Sequence, residues 1–278
     1  MPYKTILVHV DGGARAPVRI GVACQLARRF DAHLIGLHAL TVVKLPGYAR
    51  VAIEGGAQLE EYQAKAAAEA ARQAKQGFER GANAAGLTKF EWRESRIDAA
   101  EVVPVHARYA DVVVIGQPNA ADASGVEPDF AERLLLSAGR PIVLVPYAGN
   151  FTDVGRRALV AWNASREAAR AVTDSIPLLR EAQGVHVVAF NPDAAAHGDV
   201  PGADIGLYLA RHGIKLDVSQ QTAKDVDVGN QLLSRAADLD ADLIVMGGYG
   251  HSRLKELVLG GVTRTILESM TVPVLMSH

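Results

Sequence analysis

The chain has 278 residues, 49% of them hydrophobic, with 29 basic and 31 acidic side chains and a formal net charge of −2. That length fills one large domain or two ordinary ones, and the balanced charge, without a basic block or acidic tail, excludes the electrostatic footprint of a nucleic-acid binder. No apolar run approaches the ~18 residues of a membrane span, and Met1-Pro2-Tyr3-Lys4 leads into a strand-like Ile6-Leu7-Val8 with no room for a secretory leader, so the expectation is a cytoplasmic protein that engages neither nucleic acid nor membrane.

From the amino end, strands are expected near 4–10, 33–39, 89–95, 111–116 and 141–146, and helices near 15–30, 57–85, 98–108 and 128–138. The strand segments are short apolar runs such as Asp111-Val-Val-Val-Ile-Gly116, the pattern of buried parallel strands. Cys24, the single cysteine, falls at helical spacing from Gly21 and Arg28 and reads as a small core residue. Residues 41–56, with Pro46, Gly47, Gly55 and Gly56, read as a connection. The stretch after them is rich in strong helix formers, with Leu59, Tyr62, Ala66 and Ala70 near one face, and reads as a helix covering the sheet. Residues 117–127 form an irregular loop, and turn formers cluster between Tyr147 and Gly155, which puts a boundary there and gives domains 1–148 and 155–278. Beyond it, strands are expected near 157–162, 184–190, 215–221, 242–247 and 272–277, and helices near 165–182, 202–212, 226–239 and 261–270. His9, His38 and His186 lie on strand-like runs, where core positions are usual, and no His/Asp/Glu spacing resembles a zinc site.

The two halves repeat one unit. Thr5-Ile-Leu-Val-His-Val-Asp11-Gly12 matches Arg157-Ala-Leu-Val-Ala-Trp-Asn163-Ala164, an offset of 163 − 11 = 152. Asp111-Val-Val-Val-Ile-Gly116 matches Asp242-Leu-Ile-Val-Met-Gly247, an offset of 242 − 111 = 131, and the prolines of Arg140-Pro-Ile-Val-Leu-Val-Pro146 and Val272-Pro-Val-Leu-Met276 are 273 − 141 = 132 apart. The first copy is therefore longer in its middle by 152 − 131 = 21 residues. Alternating strands and helices imply α/β units with parallel sheets covered on both faces, whose ligands sit beyond the carboxyl strand ends at the switch in strand order.

The second half carries the richest motif. Gly247 and Gly250 follow the apolar run Leu243 to Met246, and Gly260 and Gly261 open a helix-periodic segment with Val262, Ile266, Leu267 and Met270. A glycine turn facing the positive end of a helix is a cradle for an anion with several oxygens. The same glycines also suit tight turns between packed elements. Trp162 and Phe190 read either as core aromatics or as neighbours of a ligand ring. Asn163 reads either as a helix cap or as a ligand contact. Arg253, Lys255 and Arg264 flank the cradle and read first as solvated helix charge.

The doubled unit, the strand ends Val10-Asp11-Gly12 and Trp162-Asn163-Ala164-Ser165, the spacing Gly247-two residues-Gly250-nine residues-Gly260, and the closing Thr271-Val-Pro-Val-Leu resemble the universal stress protein family in its tandem form, over nearly the whole chain. The resemblance implies two fused flavodoxin-like or Rossmann-like domains of the adenine nucleotide alpha hydrolase type, each a five-stranded mainly parallel sheet with helices on both faces, the last strands of the halves pairing antiparallel. It further implies a stress-response regulator that binds ATP, alone or with Mg2+, in its second half. Trp162 and Phe190 would border the base, Asn163 the ribose, and Met246, Gly247, Tyr249 and Gly250 the base, ribose and phosphates; Gly260, Gly261, Val262 and Thr263 would offer phosphate donors, with His251 and Ser252 adding side chains. Two positions depart from the family pattern: Gly261 stands where serine or threonine is usual, and Asn163 where an acid is usual. In the first half Gln117-Pro118-Asn119 replaces the second glycine and Ser137-Ala138 the closing pair, so no ATP is expected there. No nucleophile with a base is evident, so hydrolysis, if any, is expected to be slow. A homodimer and an unidentified protein partner complete the expectations; the alternative is an interaction protein of the same fold that binds no nucleotide.

Overall fold

The computed structural model describes residues 1–40, 56–119, 122, 125–191, 202–222, 227–249 and 261–278. The first half runs β1 (Thr5–His9), α1 (Ala16–Phe30), β2 (His33–Leu40), α2 (Gly56–Ala84), β3 (Phe90–Asp98), α3 (Ala99–Ala107), β4 (Val112–Gly116), α4 (Phe130–Ser137) and β5 (Ile142–Val145). The second repeats it as β6 (Arg157–Ala161), α5 (Arg166–Leu179), β7 (Gly184–Phe190), α6 (Ala203–Arg211), β8 (Asp217–Gln221), α7 (Val228–Asp238), β9 (Leu243–Gly247), α8 (Gly261–Ser269) and β10 (Val274–Ser277). Each expected element is present among these residues. The additional length of the first half goes chiefly into α2, at 29 residues against nine in its counterpart α6.

The helices begin where short polar side chains meet free N–H groups. Asp98, Ser165 and Asp227 accept from the N–H of Ala100, Ala168 and Asn230 at 2.9, 3.1 and 3.1 Å, while a proline stands in the first turn of α1. α1 ends at Asp31, whose left-handed φ of 49° turns the chain into β2. Two carboxylates at matching places of the repeat fix strand starts. Asp111 accepts from the N–H of Lys4 and Thr5 at 2.6 and 2.9 Å, and Asp242 from Gly155, Arg156 and Arg157 at 2.8, 3.1 and 3.2 Å. In this way β1 is set beside β4 and β6 beside β9.

The ten strands form one sheet in the order β3-β2-β1-β4-β5-β10-β9-β6-β7-β8. Pairing is parallel within each half, and the halves join where β5 and β10 run antiparallel, Ile142 opposite Met276, Val143 opposite Leu275 and Leu144 opposite Val274. The inner strands are apolar on both sides, while the edge strands β3 and β8 are polar and partly exposed, so each face carries its own core. One lies under α1, α2, α5 and α6, around Phe78, Leu26, Ala171 and Leu209; the other lies under α3, α4, α7 and α8, around Val103, Phe130, Leu232 and Ile266. Cys24 belongs to the first core, where burial pushes its thiol up to about 11. No helix among the described residues is long and apolar enough to cross a membrane.

α2 lies close on the sheet because Gly36 on β2 lets the Phe78 ring approach; a Cβ there would meet the ring at 2.8 Å. Gly36→Ala is expected to cost about 1–3 kcal/mol by overpacking. Gly77→Ala, whose methyl would meet nothing within 4 Å, should instead gain up to about 1 kcal/mol from helix propensity. Urea unfolding of the two variants checks the opposite signs.

Candidate functional site

Antiparallel pairing at the joint sends the carboxyl ends of the two sets of parallel strands to opposite edges of the sheet. Each edge has its switch in strand order, at β1/β4 in the first half and β6/β9 in the second, where crevices of such sheets form.

In the second half, Trp162 continues the ladder beyond β6, its N–H donating to the Val188 carbonyl at 2.9 Å, and its half-buried ring packs on the core under α5 and α6. Phe190, at the end of β7, packs on the core of the opposite face. The structure therefore brings these two aromatics to one sheet edge but not to one face. Asn163 is exposed; its Oδ1 accepts from the Ser165 N–H at 3.1 Å, and Ser165 rather than Asn163 caps α5. Met246 is 4% exposed within the core. Gly247 closes β9 against the first turn of α5, where a Cβ would lie 2.5 Å from the Ala168 nitrogen and 2.6 Å from the Glu167 carbonyl carbon. Close backbone approach thus requires glycine at this position.

Tyr249 takes a left-handed φ of 57°, and its N–H donates to Thr263 Oγ1 at 3.3 Å, so the turn after β9 is tied to the first turn of α8. Its ring packs inward, the hydroxyl buried without a hydrogen bond, and burial, helped by the Glu132 carboxylate of α4, raises the phenol far above its ordinary value. Val262 packs against the same core. Gly261, the first described residue of α8, is exposed, and a Cβ on it would meet nothing within 4 Å among the described residues. Gly250, His251, Ser252 and Gly260, with Arg253 and Lys255, lie outside the described residues. The C-terminal residue joins the edge as well: His278 Nδ1 is 3.1 Å from the Gly248 carbonyl.

The first half uses the matching crevice differently. Asp11 and Arg19, each 4% exposed, form an ion pair at 2.7 Å, and the Gly13 N–H donates to the same carboxylate oxygen at 3.0 Å. Burial alone would raise the Asp11 carboxyl, but the Arg19 guanidinium and the Gly13 N–H outweigh it and hold it below the usual range. Arg19 Nη1 also takes up the space that a Cβ on Gly116 would need. Sequence reasoning missed Arg19, although a charged residue between Ala16, Ile20 and Ala23 on the apolar face of α1 is the signal that finds it. His9, 1% exposed against Phe130, is pushed by burial to about 3 and is neutral. Gln117, where the glycine turn is lost, crosses the joint: its Nε2 donates to the Leu267 carbonyl of α8 at 2.8 Å and its Oε1 accepts from the Tyr147 N–H at 3.0 Å. Its counterpart in the repeat, Gly248, sits against Leu135 of α4.

Two α/β units of one strand order, fused through their last strands, each with a switch in strand order at its carboxyl edge, define a tandem doubly wound α/β protein. The universal stress protein family matches it twice, over residues 2–146 and 155–278, and the chain belongs to that family. It is 26% identical over 178 residues to Universal stress protein Slr1230 of Synechocystis sp., covering 59% of this chain and 57% of that protein, so it spans under two thirds of the length of this curated relative. Among solved structures, a universal stress protein from Archaeoglobus fulgidus DSM 4304 superposes with a TM-score of 0.74 at 15% identity, over 98% of this chain and 97% of that one. A putative universal stress protein from Pseudomonas aeruginosa UCBPP-PA14 superposes with a TM-score of 0.61 at 14% identity, over 99% and 93%. These likenesses establish the shared fold.

Gly247→Ala should destabilise the protein by about 1–3 kcal/mol in the absence of any ligand, because the clash is with backbone, as thermal unfolding of the nucleotide-free protein will read. Asp11→Asn leaves Arg19 buried without its counter-charge, for an expected cost of about 3–5 kcal/mol at neutral pH. The depressed Asp11 value makes the stabilisation complete above the unfolded value of 3.8 and lost as pH falls through the lower folded value, so the gap between wild type and Asp11→Asn should narrow in acid. Chemical denaturation across pH 7 to 3 measures it.

Proposed function

We propose that this universal stress protein binds an adenine nucleotide, ATP foremost, in its second half and serves as a nucleotide-dependent switch in stress-response regulation. The observation that carries the reading is the start of α8. An α-helix leaves its first N–H groups without intrahelical acceptors and presents the positive end of its dipole; here Gly261, the first described residue of α8, is exposed, and its turn is tied through Thr263 to the Tyr249 turn at the carboxyl edge of β9. Those features fit a phosphate group. Exposed Asn163, at the end of β6 on the same edge, is available to sugar hydroxyls through its amide. Among the described residues no three His, Cys, Asp or Glu side chains are placed to hold a metal ion, so Mg2+ would come with the phosphates.

The nucleotide would bridge the turn after Gly247 to the start of α8 and favour one arrangement of the segment between them, a population shift that a partner protein reads. The remaining parts of the proposal are a cytoplasmic setting, a homodimer of the tandem chain, and hydrolysis that is slow at most. The second reading, an interaction protein without nucleotide, is favoured by one observation: Gly247 is already explained by its packing against α5.

Calorimetry with ATP separates the two. Gly261→Glu adds a carboxylate at the first described turn of α8, where it meets none of the described residues, and it should weaken ATP binding by about tenfold or more while leaving the melting temperature almost unchanged. Nucleotide released by heating the purified wild type, and absent from the variant, would agree. A flat isotherm for the wild type at millimolar ATP establishes the interaction-protein reading instead.

A further inference from the structure

The carboxyl edge of the first half holds two voids of unequal size. Between β1 and β4, beside Arg19 and Pro118, about 20 Å³ is left, room for about one water. On the other side of Asp11, beneath α2, the described residues line a cavity of about 1260 Å³. Val10 and Ile20 line its inner end; Ala64, Ala67, Ala68 and Ala71 line it from α2, at the spacing that puts them on one helix face. Ala64 and Ala68 are exposed, so this stripe is not consumed by the core.

Two deeply buried acceptors line the same cavity. His38 is 6% exposed, and its Nδ1 lies 2.7 Å from the Val10 carbonyl, which can only accept. The Nδ1 therefore bears the proton, and among the described residues nothing hydrogen-bonds to Nε2. The Asp11 Oδ1 is taken by Arg19 and Gly13, while its Oδ2 accepts no hydrogen bond from the described residues. At the mouth stand Lys75, Arg80 and Arg96, none in an ion pair among the described residues, with Glu94 as the nearby carboxylate, already accepting from Trp92 Nε1 at 2.7 Å. The cavity thus has an apolar wall, hydrogen-bond acceptors at its inner end and an excess of positive charge at its entrance.

We propose that this cavity binds an amphipathic organic anion, an acyl carboxylate bearing a terminal hydroxyl. The chain lies along the alanine face of α2, the carboxylate meets Lys75 and Arg96, and the hydroxyl donates to His38 Nε2 or Asp11 Oδ2. Arg19 closes the crevice into which a polyphosphate would extend, so this site is chemically distinct from the one in the second half and sits on the opposite edge of the sheet.

The test is fluorescence titration of the full chain with cis-parinarate, followed by displacement with decanoate, 10-hydroxydecanoate, decanol and adenosine. Both acids should displace the probe, the hydroxy acid more tightly, and decanol about tenfold more weakly than decanoate. Ala68→Trp, at an exposed helix position, should fill the cavity and weaken decanoate by about tenfold or more with the circular dichroism spectrum retained. Lys75→Glu with Arg96→Glu should abolish the preference for decanoate over decanol. Gly261→Glu should leave decanoate affinity unchanged, which separates this site from the nucleotide site. Absence of saturable binding, equal affinity in Ala68→Trp, a preference that survives the charge reversals, or displacement by adenosine as effective as by decanoate would each overturn the proposal.

Discussion

Three residue pairs between β5 and β10 determine how everything else in this protein is placed. Parallel strands cannot be extended into a symmetric double sheet without one antiparallel step, and that step is made here by two short buried strands, one from each half. It merges the cores across the joint and reverses strand direction, so the two carboxyl edges face away from each other. It also brings the turn after the fourth strand of each half against the last helix of the other. Gln117 reaches the Leu267 carbonyl on one side, and Gly248 receives Leu135 on the other. Each crevice is therefore supported in part by the opposite half.

Within that symmetric frame the two crevices have diverged through a few side chains. Where the second half has Asn163, exposed and turned toward Ser165, the first has Asp11, buried and bound to Arg19. Where β9 presents Gly247 to the backbone of α5, β4 presents Gly116 to a guanidinium. One glycine pattern thus admits two fillings, helix backbone or arginine, and the second removes the space beside the strand switch. A buried ion pair contributes little net stability compared with apolar packing, but it is costly to leave half-formed. Arg19 therefore makes closure of the first crevice a durable property of the fold.

The elements were legible in the sequence because both periodicities are strong: apolar runs bounded by turns for the strands, and amphipathic or Ala-rich stretches with polar caps for the helices. The repeat was legible for a further reason, since Asp111 and Asp242 hold the same backbone N–H groups and cannot drift independently of the strands they position. Legibility fell off at the sites, where direction matters more than spacing. Trp162 and Phe190 both sit at strand ends, yet strand alternation sends them to opposite faces, which linear order does not reveal. The Thr263 side chain takes a role the sequence did not suggest, accepting from the Tyr249 N–H, and Tyr249 turns its ring toward Glu132 across the joint. Arg19 escaped notice because its partner lies on a different element. The cavity beneath α2 was outside the reach of composition, since the alanines that line it look the same as alanines chosen for helix propensity.

Joining the two halves in one polypeptide makes their meeting intramolecular. Its effective concentration is set by the short stretch from Val145 to Arg157 rather than by how many copies a cell holds, so dilution cannot separate the halves. Identical subunits meeting about a true twofold axis would have to carry every change twice. A fused chain can change one strand-switch edge while leaving the other as it is, and the pairing persists even when synthesis of the protein is low.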